Sequence, residues 1–152
     1  LVKAARARLQ KILVCTAGGE PGLRDVSMAA HVAQHAQATV TVLHVMSQVP
    51  LSDQAYLPDL AATADDLIAR HTREGLHLQS ALAQLQKSAP GSTAKVRHGF
   101  VVDEILAELR QGNYDLLVVG AHVARGLNRF LLDDVTAHLI EEATTPVLVV
   151  RG

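Results

Sequence analysis

Residues 114–122 read Tyr114-Asp115-Leu116-Leu117-Val118-Val119-Gly120-Ala121-His122, a short unbroken apolar run entered from an aspartate and left at a glycine. Such a run, with no polar alternation, fits a strand buried on both faces, as in a parallel sheet covered by helices. Four more runs can be read as strands: Ile12-Leu13-Val14-Cys15, Thr39 to Val45, Ala94 to His98, and Val147 to Val150. Longer helical patterns separate them. Leu23 to Gln37 carries Val26, Ala29, Ala30, Ala33 and His35 mostly at helical spacing and predicts the first helix. Residues 59–88 place Leu60, Leu67, Ile68, Leu78, Leu82 and Leu85 on one stripe and predict a single long helix ended by Pro90-Gly91. Asp103 is expected to cap a third helix that contains Ile105, Leu106 and Leu109 and ends at Gly112. A fourth is expected from Asp134 to about Thr144, before Pro146 opens the last strand.

The order β-α-β-α-β-α-β-α-β predicts an α/β fold, a doubly wound five-stranded parallel sheet of the flavodoxin-like or adenine-nucleotide-hydrolase-like (Rossmann-like) kind, with right-handed crossovers. The expected strand order is 3-2-1-4-5. It reverses between the first and fourth strands, and ligands of such sheets sit beyond the strand C-termini at that reversal. The segments that matter for function are therefore Thr16 to Gly22 and Gly120 to Asp134.

Composition narrows the function classes. The chain of 152 residues suits one domain, and with 3% aromatics and no Trp its core must be built from Val, Leu, Ile and Ala. A formal charge of −1 gives no electrostatic footprint for nucleic acid. The single cysteine, Cys15, has no partner for an internal disulfide, which fits a reducing cytoplasm. No apolar run approaches the roughly 20 residues of a membrane span, so no membrane insertion by this segment is expected. Residues 1–10, with Lys3, Arg6 and Arg8 among alanines and leucines and no initial Met, are read as an N-terminal extension or linker to a domain at 11–152. A partner domain in a longer chain is compatible with that start.

Several segments resemble the universal stress protein family. Asp115 to His122 resembles its "DLIVVGSH" run, and Thr145-Pro146-Val147-Leu148-Val149-Val150 its closing "CPVLVV". Lys11 to Val14, Leu43-His44-Val45, and His98-Gly99 followed by Asp103 to Leu106 match its other strands and third helix in order. The resemblance implies a non-catalytic, dimerising stress-response module, with the fifth strands commonly paired antiparallel about a two-fold axis. That makes Val147–Val150 the expected homodimer edge.

ATP-binding members of the family carry the signature G-x2-G-x9-G followed by Ser or Thr. Here Gly120 matches the first glycine, but Val123 stands at the second, Asp133 at the third and Asp134 at the hydroxyl, while Ala17 replaces the acidic residue usual after the first strand. A glycine and a free helix N-terminus favour phosphate, whereas two carboxylates there repel it and can cap the helix themselves. The expectation is a degenerate nucleotide crevice at Ala17, Gly18, Gly19, Val45, Gly120, His122, Arg125, Arg129, Asp133 and Asp134, with no cofactor. The alternative is ATP or another adenine nucleotide held by a variant phosphate loop, with Arg125, Arg129 and Gly18-Gly19 compensating.

The loop Ala17 to Gly22 is read as a structural turn with glycines at positive φ, since Pro21 has no N–H to offer a phosphate and Glu20 repels one. Among eight histidines, His31 and His35 share a helix face without a third metal ligand in view. His71 and His77 read as surface residues and His138 as part of the last helix; His44, His98 and His122 are the ones expected near the crevice. Spacing yields no nucleophile–base set, and Cys15 in a buried strand is expected to be inert. The chain is therefore not expected to be an enzyme.

Overall fold

The computed structural model describes residues 8–46, 61–121 and 134–151. Ten elements follow in order: β1 (Lys11–Cys15), α1 (Gly19–Ala36), β2 (Thr39–Met46), α2 (Ala64–Ala69), α3 (Arg73–Leu85), β3 (Thr93–His98), α4 (Val101–Gly112), β4 (Leu116–Ala121), α5 (Asp134–Glu142) and β5 (Val147–Arg151). All strand pairs are parallel and the sheet order is β3-β2-β1-β4-β5, the order the alternating pattern predicts.

Alternate strand residues point to opposite faces, and each face builds its own core. Ile12, Val14, Val40, Val42 and Val118 meet α1 and α3 on one side. Small side chains on α1, Ala29, Ala30 and Ala33, let that helix lie close to the sheet. On the other side Leu13, Leu43, Leu117 and Val119 pack against α4 and α5 through Ile105, Leu109 and Leu139. At the opposite end from the strand C-termini, the Asp115 carboxylate accepts from the backbone N–H groups of Gln10 and Lys11 at 2.9 Å each. That contact pins the entry of β1 beside β4.

Four helix expectations need correction. The first helix starts at Gly19 rather than Leu23. Pro21 falls in its first turn, where a missing N–H costs nothing because those donors have no helical acceptor. The stretch 59–88 does not form one helix: within its described part, α2 and α3 are separated at Arg70-His71-Thr72, with His71 at φ 53. Each helix has its own N-cap, and the second lies at the break. Thr63 and Asp66 form a reciprocal capping box, and Thr72 Oγ1 accepts from the Gly75 N–H at 3.0 Å. Gly75 makes the reversal possible, because a Cβ there would overlap the Leu67 carbonyl. The third predicted helix, α4, begins at Val101 with Phe100 in the N-cap position, so Asp103 is not its cap but a first-turn acid facing the positive end of the helix dipole. The last helix ends at Glu142, two residues short of Thr144.

Candidate functional site

At the C-terminal end of the sheet, where strand order reverses between β1 and β4, a cavity of about 650 Å³ opens between the strand ends and α4 and α5. That volume lies in the range of small-molecule pockets. Cys15, Thr16 and Ala17 line it from β1 and its exit, His44, Val45 and Met46 from β2, and Val119 and Gly120 from β4. Val101 and Ile105 of α4 and Val135, Thr136 and Leu139 of α5 close the sides. Most of this surface is apolar, an extension of the core beneath it.

The charged residues among the described walls are Asp25 and Glu74, both acidic; no Lys or Arg is among them. Asp25 is only 2% exposed. Burial pushes the neighbouring Cys15 thiol far up, with the Glu108 and Asp25 charges adding to the effect, so the thiol stays protonated and unreactive. Among the described residues, no group of three or more His, Cys, Asp or Glu side chains is arranged to hold a metal ion.

Thr16 organises the polar floor. Its Oγ1 accepts from the Gly18 N–H at 3.1 Å and pairs with His77 Nε2 at 2.7 Å. The His44 Nδ1–H donates to the Thr16 carbonyl at 3.0 Å. Gly22 makes room for the cluster, since a Cβ there would overlap Thr16 Oγ1 and press on the His77 ring. Gly18 and Gly19 hold φ values of 96° and 68°, as a structural turn requires.

The sequence candidates thus divide. Ala17, Val45 and Gly120 are cavity walls, and Gly18 and Gly19 form the turn beside them. Asp134 is the exposed first residue of α5, whose next two residues line the cavity. His122, Arg125, Arg129 and Asp133, with Val123, lie outside the described residues. His44 reaches the cleft, whereas His98 turns to the Ala62 carbonyl at 2.9 Å. His31 and His35 each bond the carbonyl four residues earlier. His77, read as a surface residue, is instead half-buried against Thr16. Thr16, Asp25, Glu74 and Thr136 also belong to the site and were not singled out as site residues; the overlooked signal was a charged residue, Asp25, on the buried face of α1 between Gly22 and Ala29.

The model of the universal stress protein family matches residues 8–151. The chain belongs to that family. Universal stress protein YxiE of Bacillus subtilis is 26% identical over 147 residues, covering 93% of this chain and 98% of the relative. Universal stress protein MJ0531 of Methanocaldococcus jannaschii is 30% identical over 146 residues, covering 93% and 82%. A solved universal stress protein in complex with cAMP superposes with a TM-score of 0.69 at 23% identity, covering 95% of this chain and 98% of that one; this likeness speaks for the fold. No helix among the described residues of this universal stress protein is long and apolar enough to cross a membrane.

Burial, helped by the charge of His44, holds the His77 imidazole below its ordinary value of 6.5. The folded protein therefore keeps His77 neutral at pH values where the unfolded chain protonates it. Because the unfolded state binds more protons, this contribution is complete above pH 6.5 and is lost as the pH falls from there toward the folded-state value. Thermal melts at pH 7.5 and 5.5 should show a larger loss for the parent than for His77→Gln; equal losses would remove His77 as the titrating group.

Proposed function

We propose that this universal stress protein domain is a non-catalytic, dimerising regulatory module of the stress response, in the cytoplasm, whose crevice does not retain ATP. One observation carries this reading: the described cleft walls contribute two carboxylates and no cation, and α5 opens on a third carboxylate, Asp134. A polyphosphate is held by cationic side chains, by a metal ion or by the bare N–H groups of a helix start. At α5 the helix start carries its own negative charge, and Asp133 precedes it in the sequence.

The competing reading is an adenine nucleotide held through a variant phosphate loop. It draws on the cAMP complex of the solved relative and on Arg125 and Arg129. Isothermal titration with ATP, with and without magnesium, separates the two. The expected result is no binding tighter than about 10 μM, equivalent to roughly 6.8 kcal/mol. A tighter constant that is lost in Arg125→Ala or Arg129→Ala would establish the variant loop instead.

A further inference from the structure

We infer that the exposed face of α1 carries a copper site, made by the imidazoles of His31 and His35 with the Met28 thioether beside them. α1 begins near the crevice at Gly19 and ends at Ala36, so these residues, in its second half, lie apart from the crevice.

Spacing brings the three side chains together. His31 and His35 are one helical turn apart and Met28 precedes His31 by three residues, so all share one stripe of the helix. All three are exposed, Met28 at 41% despite its apolar side chain. Two histidines four apart on a helix can reach a single metal ion. Hydrogen bonds already set the tautomer this needs. The Nδ1–H of His31 donates to the Ser27 carbonyl and that of His35 to the His31 carbonyl, each at 2.8 Å. A carbonyl only accepts, so in the neutral ring the lone pair lies on Nε2, the outer nitrogen. A ligating histidine is commonly oriented by such a bond from its other nitrogen. Neither ring is buried, so side-chain rotation is enough to bring both onto one ion.

The setting favours a cation, and the donor atoms select which one. His35 stands in the last turn of α1, at the negative end of the helix dipole. Hard cations need oxygen ligands, and the carboxylate nearest in sequence, Asp25, is buried. Among the described residues no third His, Cys, Asp or Glu joins the pair, as a closed zinc site would require. Two imidazoles and a thioether remain. Such nitrogen sites hold copper(II) more tightly than the other divalent first-row metals, and thioether sulfur selects copper(I). His138 of α5 bonds the Asp134 carbonyl in the same way but has no second histidine on its helix, which makes it the internal control.

The metal-free chain at pH 7.5, titrated calorimetrically with copper(II) chloride, should take up one ion with a dissociation constant below about 10 μM. Electron paramagnetic resonance at one equivalent should show coupling to two imidazole nitrogens. Losing only the outer partner of a ligating histidine typically weakens a site by about 10- to 100-fold, so His31→Gln and His35→Gln should each weaken copper(II) by at least about tenfold. Both rings are exposed, so both variants should melt, metal-free, at the parent temperature. His138→Gln should bind as the parent does. Met28→Leu should leave copper(II) affinity unchanged but weaken copper(I), measured anaerobically against a chromophoric chelator, by at least about fivefold. Zinc chloride should bind more weakly than copper(II). Uptake no tighter than about 10 μM, or copper(II) affinity retained in both His31→Gln and His35→Gln, overturns the site. A loss in His138→Gln equal to theirs shows binding scattered over surface histidines and overturns it too. Zinc as tight as copper(II) overturns the choice of metal, and an unchanged copper(I) affinity in Met28→Leu removes the thioether.

Discussion

Replacing Glu108 with alanine should lower the free energy of unfolding by about 3 kcal/mol, the lower end of the range for breaking a buried ion pair. Glu108 sits on α4 with 2% of its surface exposed. Its Oε1 accepts from Lys95 Nζ at 2.8 Å and from the Tyr114 hydroxyl at 2.7 Å, and its Oε2 from Arg97 Nη1 at 3.0 Å. Arg97 Nε also reaches Glu104 at 2.7 Å. One carboxylate thereby ties edge strand β3 and the residue leading into β4 to the same helix. Its removal takes from the buried Tyr114 hydroxyl the carboxylate it donates to, leaving it the Thr41 side chain, and takes from two cations their shared partner. Lys95 is 51% exposed and recovers solvation, which is why the low end applies. Urea unfolding at constant slope reads the change as a shift in midpoint; an unmoved midpoint would refute the account.

The same carboxyl makes part of the stability acid-sensitive. Burial alone would raise its pKa, but hydrogen bonds from Lys95, Tyr114 and Arg97 outweigh burial and hold it below the ordinary 4.5. The contribution is complete above pH 4.5 and is lost as the pH falls through the folded-state value. The alanine variant should therefore show a flatter pH dependence in that window.

Legibility from sequence followed the physics of each element. β1, β4 and β5 were readable because strands covered on both faces become unbroken apolar runs such as Leu116 to Val119. Strand order followed from the repeat of strand and helix. The α2–α3 break was missed because the apolar stripe from Leu67 to Leu85 continues through it, and stripe periodicity does not register the threonine cap at Thr72. The strand exits, where the structure has a cavity, were legible as the place for a crevice, since that position is a property of topology. Its polar floor was not: His77 reaches Thr16 across 61 positions of sequence, and no local pattern encodes such a contact. Gly22 reads only as the end of a structural turn, although its lack of a side chain is what admits the pair.

The parent should be a homodimer in solution, and Val149→Pro should make it a monomer. β5 is the outer strand of the sheet, and Val147 to Val150 are all apolar and half-buried, with no charge among them to deter pairing. Backbone direction sharpens the test. The Pro146 carbonyl accepts from the Leu117 N–H at 2.9 Å, so Pro146, Leu148 and Val150 turn their polar groups toward β4. The N–H and C=O of a strand residue share one side, and successive residues alternate. Val147, Val149 and Arg151 therefore present theirs to the open edge. Proline at Val149 removes an outward donor while leaving the β4 ladder its own bonds, the one kind of strand position that tolerates proline. Proline at Leu148 would instead cut the β4–β5 ladder and unfold the edge. A second copy related by a two-fold axis satisfies the open groups of both chains at once and closes the assembly. Light scattering at tens of micromolar should give twice the mass of one chain for the parent and the single mass for Val149→Pro, with the variant's circular dichroism unchanged. A monomeric parent would overturn edge pairing, and a dimeric Val149→Pro would move the interface elsewhere on the domain.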